Sequence, residues 1–465
     1  HMTTFKFIRP SNILDAGGSF TRSTTATYFD IDGAMQTAAI NVPRIGYDPV
    51  THAHTGLILE AAATNLMLNS ATVTNQDITV TAVPHTLTFY GTGTVTLTNA
   101  HSGSLVGSGA FPVRSSLTFT PSAGTLSIAV SGSCTLGQLE VGSVATSYIP
   151  TAGATVTRGA DTATGSGLIY TDVPEADYPA WVGGTTYTAD TDYVIRTTAT
   201  THKIYLCLVT HTTAATPEDN PTGATPKWLE VSPTNRWKIF DQKVGTTTTQ
   251  ADSMTYLLKP GRADSLALLG VDASSVEVSL VADGETVYTA SFDLDSGNSV
   301  GDWYEYFYEP IYQTDSVVVT NLLDTTLFDL PQYGDGVLCV RFLRDGGDVT
   351  CGVLVAGAYA ELGQTLSDPT IGIIDYSRKS TDDFGNTTIV ARTYSKRMSC
   401  SMLVASSSVD NVARLLAQYR STPVVWVAAD NLFTSMILYG FYKDWEVRIE
   451  SPNHSTCNIQ IEGLT

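Results

Sequence analysis

"GQLEVGSVATSYIPTAGATVTRGAD", residues 137–161, decides how the first third of the chain is read. It opens as a strand in which Gln138 and Glu140 project to one face and Leu139 and Val141 to the other. Tyr148 and Pro150 then fix how the chain leaves that strand, and Arg158 and Asp161 stand alone among small residues. None of this is a catalytic motif. The spacing predicts a final strand followed by a capping loop at a domain exit.

Upstream of it, from "TGLILEAAATNLML" (55–68), short alternating segments follow one another: "DITVTAV", "TLTFYG", "TVTLTNA", "SLTFTP" and "TLSIAVSG", separated by Gly, Pro, Ser and Asn. Strands and turns at that spacing predict a sandwich or jelly roll over 51–161. Residues 1–50 are rich in turn formers, with "DAGG", "DIDG" and "YDP", and predict an extended, partly ordered arm. Downstream, residues 162–180 lack periodicity and read as a linker. A small module with Trp and Tyr occupies 181–233. A second β-sandwich is expected over 234–365, from "SVEVSLVA", "ETVYTASFDL", "DSVVVTNL" and "GVLCVRFL".

The last segment, 366–465, adds one helix to its strands. In "SSSVDNVARLLAQYRSTP" (406–423), Val409, Val412, Leu415, Leu416 and Tyr419 share a face, which predicts a helix over about 408–420. Ser408 is placed to cap it, Asp410 suits its first turn, and Pro423 lies beyond its end. The expected fold class is therefore mainly β and multi-domain, with β-sandwich or jelly-roll domains, a small β module and a C-terminal β domain carrying one packed helix.

Composition agrees and narrows function. An apolar fraction of 43% with 15% charged residues argues against disorder. The 45 acidic residues against 25 basic ones give a net charge of −20, which repels a phosphate backbone, so no nucleic-acid partner is expected. No apolar run reaches the roughly 18 residues of a membrane span, so no membrane insertion is expected. The N-terminus lacks the order of a signal peptide; His1 reads as a cloning remnant and Met2 as the start. The six cysteines are widely spread, without C-x-x-C, and read as small buried thiols of a protein made in a reducing cytoplasm.

As a whole, the opening stretch resembles a module of bacteriophage tail and fibre proteins, in which "QLE-x-G" leads to "ATSYIPT" and then "TR-x-AD". The upstream segments "FTRSTTATYFDIDGAMQTAAINVPRIGYDP" (20–49) and "GLILEAAATNLMLNS" (56–70) resemble the N-terminal module of the same proteins. The two signatures bracket a sandwich similar to carbohydrate-binding domains. The chain departs from that pattern at Ala62 and Ala63, where relatives often carry Arg, and in the shortness of the sandwich between the signatures.

Residues 178–231 resemble small chitin-binding-type modules, with Trp181, Tyr187, Tyr193, Tyr205 and Trp228 in the aromatic places. Aromatic faces suit sugars because pyranose C–H bonds lie on the π surface while the hydroxyls stay wet. The segment from "NRWKIFDQKVGTTT" to the C-terminus also resembles phage tail proteins, and its helix-plus-β ending is similar in architecture to tail-tube and distal-tail proteins.

These resemblances imply a non-enzymatic virion protein of the tail that adheres to a host cell-surface glycan and contacts other phage tail proteins. The alternatives are a purely structural tail component and a glycan-degrading enzyme. Further candidates come from single runs. "WYEYFYEP" (303–310) sets Tyr304, Tyr306 and Tyr308 on one strand face, a stacking platform if exposed. "STDDFGN" (380–386) reads as a solvated turn, with Asp382, Asp383 and Asn386 as the ligands in the alternative calcium reading. There is no G-x-S-x-G, H-E-x-x-H or P-loop, and no cofactor is expected. The oligomeric state is left open.

Overall fold

A computed structural model describes residues 4–11, 17–198, 200–213, 225–295, 316–320, 333–366, 369–381, 384, 387–428 and 436–464. The protein is mainly β, and its described residues form two compact units. One comprises Gly18–Gly165 with Val278–Ala290, and the other His1–Gly17, Ser166–Glu277 and Ser291–Thr465.

The first unit is a sandwich. A four-stranded sheet runs in the order Gly103–Val106, Thr94–Asn99, Gly124–Ser131, Gln76–Val80. A three-stranded sheet runs Gly109–Phe119, His85–Gly91, Thr135–Val141. Alternate residues meet in its core: Leu87, Phe89 and Leu139 from the second sheet, and Val95, Leu97, Leu126 and Ile128 from the first. Period-two patterning in "TVTLTNA" and "TLSIAVSG" is thus read directly into the packing.

The opening stretch does more than close this sandwich. Leu139 faces the core, but Gln138 and Glu140 on the opposite face are also buried, and Val141 is 57% exposed. The reason is the loop that follows, which folds back over the outer face of its own strand. Glu140 accepts hydrogen bonds from the Thr146 amide at 2.7 Å, the Thr146 hydroxyl at 2.7 Å and Gln138 Nε2 at 2.8 Å. Gln138 Oε1 accepts from the Ile149 amide at 2.6 Å. A buried polar strand face is stable only because these backbone donors satisfy it.

The lone arginine belongs to a buried ionic network. Arg158 meets Glu60 at 2.6 Å, Arg44 meets Glu60 at 2.9 Å and Asp161 at 2.5 Å, and Arg22 meets Asp161 at 3.0 Å. Arg22, Arg44 and Arg158 are each at most 1% exposed. Spare donors end on carbonyls of the upstream signature: Arg22 Nε on Thr24 O, Arg44 on Thr27 O and Arg158 on Ala61 O. Strands Val156–Arg158 with Ala63–Asn65, and Thr162–Thr164 with Ser19–Thr21, pair the exit segment back onto the entry segment. Burial would raise the Glu60 carboxyl, but Arg158 and Arg44 outweigh it and hold the group below its ordinary range.

The second unit is built on a nine-stranded sheet that closes on itself. Six strands form a ring: Val353–Thr365, Thr4–Pro10, Val424–Val427, Ile437–Ile449, His454–Gly463 and Tyr394–Ala405. The ring is sealed where Gln364 and Thr365 pair with Leu403 and Met402. Ser265–Leu269 and Ser316–Thr320 extend the sheet from one side, and Thr370–Asp375 from the other. Phe5, Phe7, Met402, Trp426, Ile459 and Ile461 fill the interior, joined by Val412 and Leu416 from the helix Val409–Gln418. Ile8, Val425, Val427 and Val355 pack on the opposite face of the same wall. Both faces being buried explains why "VVWVA" (424–428) is continuously apolar instead of alternating.

Several boundaries differ from the segments read in sequence. Residues 4–10, expected within an extended arm, form a ring strand with Phe5, Phe7 and Ile8 fully buried. Residues 162–180, expected as a linker, contribute the strands Thr162–Thr164 and Gly167–Thr171 and bury Leu168, Ile169 and Val173. The stretch 234–365 divides between two sheets: Thr248–Lys259 and Val337–Cys351 pair with each other, whereas Ser265–Leu269 and Val353–Thr365 join the nine-stranded one. The helix lies where its periodicity places it, but Ser408 makes no side-chain cap, because a 3₁₀ turn over Ser406–Ser408 already gives it helical torsions. All six cysteines are buried.

Two outcomes follow from this packing. Glu60→Gln leaves two buried guanidinium groups short of a carboxylate and is expected to destabilise the sandwich unit by about 3–5 kcal/mol in urea unfolding. Because the Glu60 carboxyl is lowered in the folded state, its contribution is complete above about pH 4.3 and is lost as pH falls through the folded value. The variant should therefore show a shallower loss of stability on acidification than the parent. Phe7→Ala, which empties the ring interior beside Trp426 and Tyr419, is expected to cost the second unit about 3–5 kcal/mol by the same measurement.

Candidate functional site

The small module at 181–233 was the strongest candidate surface in the sequence, and its geometry settles which aromatics reach solvent. Three antiparallel strands, Tyr193–Thr197, His202–Cys207 and Trp228–Pro233, form its sheet. Thr186–Tyr187 pairs with His211–Thr212 beside them. Between these layers sit Tyr187, Tyr205 and Trp228, with Val194 and Cys207, all at most 8% exposed. Trp228 meets Tyr187 edge-on at 5.1 Å, and the Tyr187 hydroxyl accepts a hydrogen bond from the Val182 amide at 2.9 Å. Trp181 packs partly buried against this cluster. So small a module has few other residues with which to make a core, and its aromatics supply the buried area.

Tyr193 has a different environment. It is half-buried and stacks on Tyr178 with ring centroids 4.9 Å apart and planes 20° apart. The stack arises from a parallel bridge between Ala180 and Ile195, which sets residues two positions earlier on each segment side by side. Trp181 N–H donates to Ile195 O, and Ile195 N–H to Pro179 O, both at 3.0 Å. Tyr178 is 41% exposed and offers one open ring face. Sequence reading missed Tyr178, although its place in "DYPAW", three residues before Trp181, was the available signal.

The module is mounted firmly at both ends. Glu175 accepts hydrogen bonds from His202 Nδ1 at 2.9 Å and the Thr234 hydroxyl at 2.7 Å, with Arg236 at 3.7 Å. Asp177 accepts from the Asn235 amide at 2.9 Å. The His202 ring stacks on Trp237 at 4.3 Å. Entry and exit segments are thus tied to each other, to the module's middle strand and to the helical turn Asn235–Lys238.

Tyr304, Tyr306 and Tyr308 lie outside the described residues, as do Asp382, Asp383 and Asn386. Among the described residues, no group of three His, Cys, Asp or Glu side chains is gathered as metal ligands. Among the described residues, one open depression of about 330 Å³ lies along Thr370–Asp375, and another of about 430 Å³ lies near Thr4, Glu361 and Asn411.

Trp228→Ala is expected to unfold the module, at a cost of about 3–5 kcal/mol, seen as loss of its dispersed NMR amide signals. Tyr178→Ala should leave those signals in place, because it removes a half-open ring from the surface. The chain matches no family profile, and no curated protein matches it.

Proposed function

We propose that the chain is a non-enzymatic structural component of a bacteriophage tail, whose carbohydrate-binding-like β modules serve as docking units for other virion proteins. The phage assignment rests on the two long signatures at 20–70 and 137–161. The observation that carries docking over adhesion is the burial of Tyr187, Tyr205 and Trp228, which leaves the small module without the row of open rings that a sugar chain would need. The clamp of Glu175 on His202 and Thr234 supports the same reading, since it fixes the module as a rigid fitting.

One observation favours a second reading, adhesion to a host cell-surface glycan. The Tyr178–Tyr193 stack presents a single open ring, a weak site that many copies in a virion would strengthen through avidity. Titration of the purified protein, displayed on beads, against bacterial surface glycans and chitin-like oligosaccharides separates the two. The structural reading expects no saturable binding at millimolar ligand. Saturable binding that disappears in the folded Tyr178→Ala, Tyr193→Ala variant would overturn it in favour of adhesion.

A further inference from the structure

One face of the nine-stranded sheet holds a polar groove that the docking reading leaves unused. Three strands cross it side by side: Thr370–Asp375, Tyr394–Ala405 and His454–Gly463. In one row Thr370 stands opposite Ser399 and Ser399 opposite Gln460. In the next row of the same face Gly372 stands opposite Arg397 and Arg397 opposite Glu462. Met398 and Ile461, between the rows, turn the other way into the ring interior. Both rows therefore line one depression of about 330 Å³, together with Lys443.

The protein does not neutralise the cations of this groove. An arginine directly across a ladder from a glutamate ordinarily pairs with it. Here the Arg397 guanidinium lies over Gly372 instead, where a Cβ would come within 3.0 Å of Nε and 3.7 Å of Nη2. Glycine at 372 leaves open the space that the guanidinium takes. Glu462 is engaged elsewhere, accepting a hydrogen bond from the Tyr376 hydroxyl at 3.4 Å, and that hydroxyl also meets Ser395 Oγ at 3.2 Å. Among the described residues, neither Arg397 nor Lys443 has an ion-pair or hydrogen-bond partner, and both are exposed.

That arrangement selects a ligand by charge and by shape. Two uncompensated cations at one groove, in a chain of net charge −20, attract an anion, and the planar fork of Arg397 matches the two oxygens of a carboxylate or phosphate. Glu462 sets the limit on that charge. As a carboxylate it repels a second anionic group and accepts from a hydroxyl. The hydroxyls of Thr370 and Ser399 and the amide of Gln460 offer further donors and acceptors along the same wall.

We infer that this groove binds a small hydroxylated anion, with one carboxylate or phosphate held between Arg397 and Lys443 and its hydroxyls on Glu462, Gln460 and Ser399. The volume is at the small end of ligand pockets and suits a single sugar acid or polyol phosphate. The inference goes beyond the docking reading, and the groove shares no residue with the Tyr178–Tyr193 stack.

Methyl NMR of the full chain, labelled at isoleucine, tests it with Ile374 of the groove as reporter. The probes are glucuronate and glycerol 3-phosphate, with glucose and glycerol as their neutral counterparts. The Ile374 signal should shift saturably with millimolar anion and stay in place with the neutral pair. A response to glucuronate alone identifies a carboxylate ligand, and one to glycerol 3-phosphate alone a phosphate ligand. Arg397→Gln should weaken binding by about tenfold, the loss of one charge-assisted contact. Gly372→Ala removes no charge but displaces the guanidinium, and should weaken binding by a smaller factor. Unchanged circular dichroism and thermal midpoint would confirm folding, and Lys443→Gln, at an exposed position, replaces any variant that fails this check. No shift with either anion at tens of millimolar, equal shifts with the neutral probes, or undiminished binding in folded Arg397→Gln would each overturn the inference. Binding that survives Tyr178→Ala, Tyr193→Ala belongs to the groove and leaves the docking reading standing, whereas glycan binding lost in that variant would remove that reading whatever the groove does.

Discussion

Three guanidinium groups without access to water govern the organisation of residues 18–165. A buried cation is tolerated only where carboxylates and carbonyls surround it, and Arg22, Arg44 and Arg158 draw theirs from Glu60, Asp161 and the backbone of Thr24, Thr27 and Ala61. These partners come from segments about a hundred residues apart in the chain. The sandwich between them is therefore held by its two ends, and its own hydrophobic core is only part of what fixes it. That geometry gives the entry and exit signatures a shared physical purpose: each supplies the charges that the other leaves unmatched.

The aromatic residues of the small module show the same economy at smaller scale. Tyr187, Tyr205 and Trp228 have the spacing of a binding platform and the environment of a core. Residue type and order do not separate the two roles, because both need large rings on alternating strand positions. What separates them is the second layer, Thr186–Tyr187 with His211–Thr212, which covers the rings.

Local periodicity made much of the fold legible. The sandwich strands follow the alternating segments, and the helix Val409–Gln418 falls within its apolar stripe. The errors arise where a distant segment decides the outcome. Gln138 and Glu140 are buried because a loop distant in register folds back over their face, while Val141, on the face of Leu139, is exposed. "TFKFIRP" reads as an arm since its partners, Val353–Thr365 and Val424–Val427, are hundreds of residues away. The candidate site was legible only as a set of aromatics; the open ring of Tyr178 depends on a parallel bridge between Ala180 and Ile195 that no sequence period announces.

The ring strand Thr4–Pro10 also sets an order of events during synthesis. Residues 4–10 are made long before their neighbours at 357–364 and 425–427. Loop closure over such separations is slow, and the apolar residues Phe5, Phe7 and Ile8 must wait in the meantime. The sandwich at 18–165 holds nearly all its own strands and can mature while the rest is being made. A nascent chain therefore carries a finished domain beside an apolar strand that is covered only when the six-stranded ring closes.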